Sequence, residues 1–306
     1  MLRNILIFHS GALGDFIQTW PLGLALGRLF PQSRVVYITQ KQKGILAEKV
    51  LRLESMDVES GWHHLFGNGA QLPDICRRKL ESAHSVFTFV AKPGDEWTRT
   101  VSSINPNAQV ISVDAGPSQQ MLESLSAFPA IGSAISQMLA SIADTGIRVA
   151  RNMDAGPVAV HPGSGSPDKC WPVDSYLRLI EQLHDAGHRC RIILGEVELE
   201  RWPADQLSRL HSADETVHPA TYFDLLNELS HCSAFIGNDS GPGHLAGIIG
   251  IPSVILFGPT DPAIWKPLGP RVEAIRKQPL ASLSSDEVLH AVLRVLPQTL
   301  APAKAD

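Results

Sequence analysis

The chain has 306 residues, 44% of them hydrophobic and 19% charged, with 26 Lys+Arg against 31 Asp+Glu. That balance suits an ordinary globular protein with room for two cores, one in each half. The formal net charge of -5 argues against a general nucleic-acid binder, which would carry a basic surplus. No run approaches the ~18 apolar residues of a membrane span.

The start, Met1–Phe8, is too short an apolar run for a secretory signal and reads as a strand near Ile5–Phe8. It runs into His9-Ser10-Gly11-Ala12-Leu13-Gly14-Asp15 and then an amphipathic stretch, Phe16–Leu29, with helical spacing. Gly11 and Gly14 let the chain turn tightly and bring backbone N–H groups near a ligand. The run is neither GxGxxG nor a P-loop. Asp15 has two compatible readings: a cap for the helix starting at Phe16, or a carboxylate placed to take a proton from an attacking hydroxyl. Strands follow at Val35–Thr39, Ser85–Val90 and Gln109–Val113, with helices at Gly44–Leu53 and Gln119–Ala143. Residues 57–69 offer only a short strand near their start. Lys41 with Lys43, and Arg77-Arg78-Lys79, are the basic groups of this half and read as solvated surface charge.

A second α/β series begins after residues 148–156. This places a domain boundary between residues 150 and 151, with domains 1–150 and 151–306. The two halves hold 13 Lys+Arg with 12 Asp+Glu and 13 with 19, respectively. An anionic ligand in the acidic half must therefore be held by local devices such as a helix N-terminus or a single cation. Strands are expected at Pro157–His161, Cys190–Leu194, Ala234–Gly237 and Ser253–Phe257. Helices are expected at Asp174–Ala186, Glu198–Leu210, Tyr222–Ser230, Gly243–Ile249 and Asp286–Leu296, the last opened by a capping box at Ser284 and Glu287. Strands alternating with helices predict parallel sheets, whose ligands bind beyond the carboxyl ends of the strands. The four cysteines, Cys76, Cys170, Cys190 and Cys232, are widely spaced, form no CxxC pair, and read as reduced thiols without metal-site spacing.

Three loops of this half carry chemistry. The first strand ends in HPGSGSPDKCWP (161–172), where Gly163 and Gly165 free the backbone and Ser164 and Ser166 add hydroxyls. Lys169 is either the cation that neutralises a departing phosphate or a surface lysine on a turn. The second loop follows Leu194-Gly195. Glu198 lies where an acidic residue can accept both hydroxyls of a ribose, although Glu196 and Glu200 compete and all three could be exposed helix-start carboxylates. The third is GNDSGPGHLA (237–246), a strand end, a glycine-rich turn and a helix starting near Pro242. Its unsatisfied N–H groups suit a diphosphate. Asp239 would then be a cap, or an acceptor for Lys169 or a sugar hydroxyl, and His244 a phosphate donor or a packed helix histidine. Residues 258–262 form a further loop.

Together, the early Gly14-Asp15 followed by Phe16–Leu22, the 161–172 run, and 237–246 with Phe257–Pro262 resemble the ADP-heptose:lipopolysaccharide heptosyltransferases, glycosyltransferase family 9. The resemblance spans nearly the whole chain. It implies an α/β fold of GT-B type, two Rossmann-like domains facing across a cleft, the first on the acceptor side and the second binding the nucleotide sugar. It also implies an inverting, metal-independent transfer of a heptose or related sugar from an ADP-sugar to a hydroxyl of a lipopolysaccharide-core or other glycan acceptor, with no cofactor. Carried over by position, Asp15 is the general base and Lys169 stabilises the leaving diphosphate. Ser164, Glu198, Asp239, Ser240, Gly241 and His244 bind the donor, and Ser10, Gly11 and Gly14 form the acceptor-side loop. The expected partners are a nucleotide-sugar donor and a glycan or glycolipid acceptor, with no nucleic acid. The expected location is cytoplasmic, compatible with transient contact at the inner membrane face. A nucleotide-sugar epimerase or hydrolase of the same fold, or a non-catalytic sugar-nucleotide-binding protein, are the alternatives.

Overall fold

The computed structural model describes residues 3–114, 116, 118–149 and 156–296. Its contacts divide the chain into two units, residues 1–141 and 142–306. The boundary expected between residues 150 and 151 lies outside the described residues.

The first unit runs β1 (Arg3–Phe8), α1 (Leu13–Gln18), α2 (Trp20–Leu29), β2 (Ser33–Thr39), α3 (Lys41–Leu51), β3 (Glu54–Asp57), α4 (Asp74–Glu81), β4 (Ala83–Thr88), α5 (Glu96–Ile104), β5 (Gln109–Ser112), α6 (Ser118–Ser124) and α7 (Pro129–Thr145), the last crossing the division at residue 141. All its strand pairs are parallel, in the order β3-β2-β1-β4-β5. Strand β1 is buried from Asn4 to Phe8 because helices cover both faces of the sheet. Leu6 and Phe8 pack with Val36, Trp62 and Trp97 on one face, with both indoles edge-on to the Phe8 ring. Phe16, below the first loop, is edge-on to Tyr37 at 5.1 Å.

The second unit runs β6 (Val158–His161), α8 (Val173–Asp185), β7 (Cys190–Ile193), α9 (Glu196–Arg201), α10 (Ala204–Ala213), β8 (Thr216–Val217), α11 (Tyr222–Ser230), β9 (Ala234–Asn238), α12 (Gly241–Ile248), β10 (Ser253–Phe257), α13 (Pro262–Trp265), β11 (Val272–Arg276) and α14 (Ser285–Val295). Its parallel sheet has the order β11-β10-β9-β6-β7-β8. The strand order therefore reverses between β6 and β9, where a doubly wound sheet opens a crevice at its carboxyl edge. Val160, Ile192, Ile236, Val254 and Leu256 form the core with Trp171, Tyr176 and residues of α8 and α14. The expected capping box is present: Ser284 accepts from the Glu287 N–H, and the Glu287 carboxylate accepts from the Ser284 N–H.

Three helices expected as single elements are broken. Phe16–Leu29 is α1 and α2, Gln119–Ala143 is α6 and α7, and Glu198–Leu210 is α9 and α10. In each case a proline sits in the first turn of, or just ahead of, the second helix: Pro21, Pro129 and Pro203. Proline has no N–H to continue a helix but suits the start of one. The edge strands β3, β8 and β11, and helices α4 and α5, had no counterpart in the sequence reading apart from the short strand foreseen near residue 57.

Candidate active site

In the second unit the loops after β6 and β9 meet at the point where the strand order reverses. Asn238, the last residue of β9, is fully buried. Its Nδ2 donates to the carbonyls of Pro162 at 2.7 Å and Gly163 at 3.3 Å. Its Oδ1 accepts from the Trp171 N–H and the Tyr176 hydroxyl, each at 3.0 Å. One amide thus ties the loop after β6 and the start of α8 to the end of β9. Its full hydrogen-bonding capacity is used, which is what burial of a polar group requires.

Asp239 is the polar centre of the site and is 6% exposed. Its Oδ2 accepts from Lys169 Nζ at 2.8 Å and from the Thr260 hydroxyl at 2.8 Å. Its Oδ1 lies 3.9 Å from His244 Nε2, and its backbone carbonyl accepts from the Ser164 hydroxyl at 2.9 Å. Of the two readings of Asp239, the acceptor for Lys169 is the one realised. The N-cap of α12 is Ser240 instead. Lys169, at the end of a 3-10 turn over Pro167–Lys169, is consequently an ion-paired residue and not a free surface lysine.

Helix α12 begins at Gly241 with Pro242 in its first turn. The Ser240 side chain caps nothing, and its Oγ is buried without a hydrogen-bond partner among the described residues. A buried hydroxyl beside the free N–H groups of a helix start is an unfilled donor at the positive end of a dipole. Ser164, Lys169, Asp239, Ser240, Gly241 and His244 are therefore brought together, and His244 is buried at 4% exposure.

Glu198 joins them from the first turn of α9, after β7. It is 3% exposed, whereas Glu196 and Glu200 are exposed, so the exposed-carboxylate reading fails for Glu198 alone. Its Oε2 accepts from the Gly195 N–H at 2.8 Å, capping α9 from inside. Its other oxygen rests against Gly163: a Cβ there would fall 1.9 Å from Glu198 Oε1. Burial, and next the Glu198 charge, push the neighbouring Cys170 thiol up to about 11. Among these residues Asn238 and Thr260 were given no role by the sequence reading. The fixed position of Asn238 at a strand end beside two loops was the available signal.

In the first unit Ser10, Gly11, Gly14 and Asp15 lie together on the loop after β1 and the start of α1. The helix starts at Leu13, not Phe16, so Asp15 is its third residue and not its N-cap. The carboxylate reaches back to accept from the Ala12 N–H at 3.2 Å. The turn needs no positive φ at Gly11 or Gly14. Gly11 matters through close approach, since a Cβ there would meet the His9 ring at 3.1 Å and Asp15 Cβ at 3.2 Å. Beneath the loop, His9 is buried with Nδ1 unpartnered among the described residues. Burial, helped by the nearby Lys43 ammonium, lowers its pKa to about 3. The surface reading of Lys43 does not hold: the residue is 1% exposed, and its Nζ donates to the Gly11 carbonyl.

One candidate metal cluster occurs among the described residues: His184, Cys190 and Asp214, with ligand atoms within 4.8 Å of one another. It lies at the start of β7, the end of the sheet opposite the site. Asp214 Oδ2 there already accepts from the Cys190 N–H at 3.0 Å and lies 2.6 Å from His184 Nε2. All four cysteines are free thiols. No helix among the described residues is long and apolar enough to cross a membrane.

The model of glycosyltransferase family 9 (heptosyltransferase) matches residues 127–290, more than half of the chain. The chain belongs to glycosyltransferase family 9. Among its relatives, lipopolysaccharide heptosyltransferase 3 of Escherichia coli (strain K12) is 31% identical over 113 residues, 36% of this chain and 33% of the relative. Matches to the curated relatives thus span about a third of their length. Among solved structures, the E. coli heptosyltransferase WaaC with ADP superposes with a TM-score of 0.68 at 17% identity, covering 95% of this chain and 99% of the other. The E. coli ADP-heptose lps heptosyltransferase II gives 0.68 at 16%, covering 97% and 100%. At these identities the likeness concerns the fold. The two parallel-sheet α/β units are those of GT-B family members, as the motifs implied.

Proposed function

We propose that the chain is an inverting glycosyltransferase that moves a heptose from ADP-heptose to a hydroxyl of a lipopolysaccharide-core acceptor, without a metal ion. The observation that carries this reading is the unpartnered Ser240 hydroxyl at the start of α12, next to the Lys169–Asp239 pair. Lys169 and Asp239 cancel each other in charge, and buried Glu198 adds a negative one. The ADP diphosphate is accordingly held by neutral donors, the Ser240 hydroxyl and the free N–H groups of α12, with Lys169 turning to the leaving oxygen as charge develops. Glu198 is the acceptor for the ribose hydroxyls, and Asp239 holds Lys169 and His244 in register.

In the reaction Asp15 takes the proton of the acceptor hydroxyl, and the acceptor oxygen bonds to the anomeric carbon as the bond from that carbon to the diphosphate breaks and ADP leaves. One displacement inverts the anomeric configuration. A carboxylate base supplies roughly 10²–10⁴-fold, and positioning with charge stabilisation the rest. The test is ADP release from ADP-heptose with and without a lipopolysaccharide-core acceptor, with the anomeric configuration of the product read by NMR. Acceptor-dependent release and an inverted product are expected. Rapid release without acceptor would replace this reading with the hydrolase, and tight ADP-heptose binding without turnover would replace it with the binding protein.

A further inference from the structure

We infer that Lys43 is a positioning residue for the loop that carries Asp15, fixing the Gly11 carbonyl and supplying the buried positive charge that faces the Asp15 carboxylate. The inference rests on the reading of Asp15 as the base. Lys43 is the third residue of α3, within the first turn, where the helix dipole disfavours a cation. It is also 1% exposed, although Lys41 and Gln42 beside it are exposed. Two costs therefore oppose a lysine here, and a buried ammonium persists only when it is paired and hydrogen-bonded.

What offsets them lies in the loop after β1. Nζ donates to the Gly11 carbonyl, 32 residues away in sequence. Burial lowers the Lys43 pKa, and the Asp15 charge acts in the opposite direction. His9, the other titratable group under the loop, stays neutral and so does not compete for the Asp15 charge. The geometry of α3 makes the reach possible: Gly44 has no side chain, and a Cβ there would fall 2.5 Å from Ser55 Oγ, so the first turn of α3 lies close against the sheet. Lys43 thus links α3 to the loop after β1, and it does so at the Gly11–Ala12 peptide: Nζ donates to the Gly11 carbonyl, and the Ala12 N–H donates to the Asp15 carboxylate.

The test uses Lys43→Met, Lys43→Ala and Lys43→Arg in the full chain. Lys43→Met should lower kcat by ~10–100-fold, as misplacement of a reacting group by about 1 Å does. ADP affinity, read by calorimetry, should stay within about twofold, because the nucleotide is assigned to the other unit. Lys43→Arg should retain more activity than Lys43→Met. Ethylammonium should restore part of the kcat of Lys43→Ala, whereas ethanol should not. A readout independent of turnover is the NMR titration of the Lys43 Cε signal, assigned with Lys43→Arg: in Asp15→Asn it should move to lower pH than in the unsubstituted protein. Wild-type kcat in a folded Lys43→Met, or a Lys43 titration indifferent to Asp15→Asn, would overturn the inference. If Lys43→Met does not fold, Lys43→Arg and the titration decide. If the unsubstituted protein transfers no sugar, the proposed function fails, while the titration still reports on the pairing.

Discussion

Replacing Gly163 with alanine should do measurable harm through one identifiable contact. The new Cβ would lie 1.9 Å from Glu198 Oε1, 2.2 Å from Cδ and 2.7 Å from Cγ, far inside van der Waals distance. The carboxylate is the end of a side chain and can swing away, so the backbone need not break. It can do so only by leaving a buried position and giving up its bond from the Gly195 N–H. Losing that bond costs about 1 kcal/mol, and overpacking adds a similar amount, so Gly163→Ala should cost about 1–3 kcal/mol. At roughly 2–4 °C per kcal/mol for a unit of this size, the shift is readable by calorimetry. The informative assay is the double-mutant cycle with Glu198→Ala. Removing the Glu198 side chain makes room for the methyl group, so the double variant should be more stable than the sum of the single effects by about 1 kcal/mol or more. ADP affinity should fall in Gly163→Ala because Glu198 is displaced. Additivity within about 0.3–0.5 kcal/mol would refute the argument that these two residues share one space.

Asn238→Leu should destabilise by roughly 3 kcal/mol or more, because it strips four hydrogen bonds from buried partners, and chemical denaturation would measure it. Asp15→Ala should cut turnover by about 10²-fold or more with ADP affinity nearly unchanged, checked by steady-state kinetics and calorimetry. Turnover should persist in EDTA, and its loss with recovery on adding a metal would remove the metal-independent mechanism. His9 has a folded pKa near 3 against 6.5 unfolded. Its contribution is thus full above pH 6.5 and is lost as pH falls toward 3, by at most on the order of 5 kcal/mol. His9→Gln should flatten stability against pH in that window, and an unchanged slope in urea titrations would count against a buried neutral imidazole.

The central strands of both sheets were legible because they are buried on both faces and so read as unbroken apolar runs, as in Ile5–Phe8 and Ser253–Phe257. The edge strands β8 and β11 lack that signal: β8 has two half-buried residues, and β11 is only partly covered. Helix periodicity carried the reading across Pro21, Pro129 and Pro203, although each proline marks a fresh start. Residue types at loop positions pointed to Asp15 in the first unit and to Lys169, Asp239 and Ser240 in the second. Burial separated Glu198 from Glu196 and Glu200, and no local pattern reports burial of one glutamate among three. Lys43 was misread for the same reason, since a lysine two residues from another in a helix start looks solvated until the fold covers it. Thr260 acquires its partner only when its loop converges on the carboxylate of Asp239, 21 positions earlier in the chain.

The ion pair between Lys169 and Asp239 also bears on which solutes compete for the pocket. A site rich in unpaired cations would collect any abundant polyanion, and its occupancy would follow ionic strength. Here the cation is already committed to Asp239, and under the proposed function entry depends on matching fixed hydroxyl and amide donors in space. Inorganic phosphate and free nucleic acid should therefore be poor inhibitors even in large excess, leaving selection among dissolved phosphates to shape.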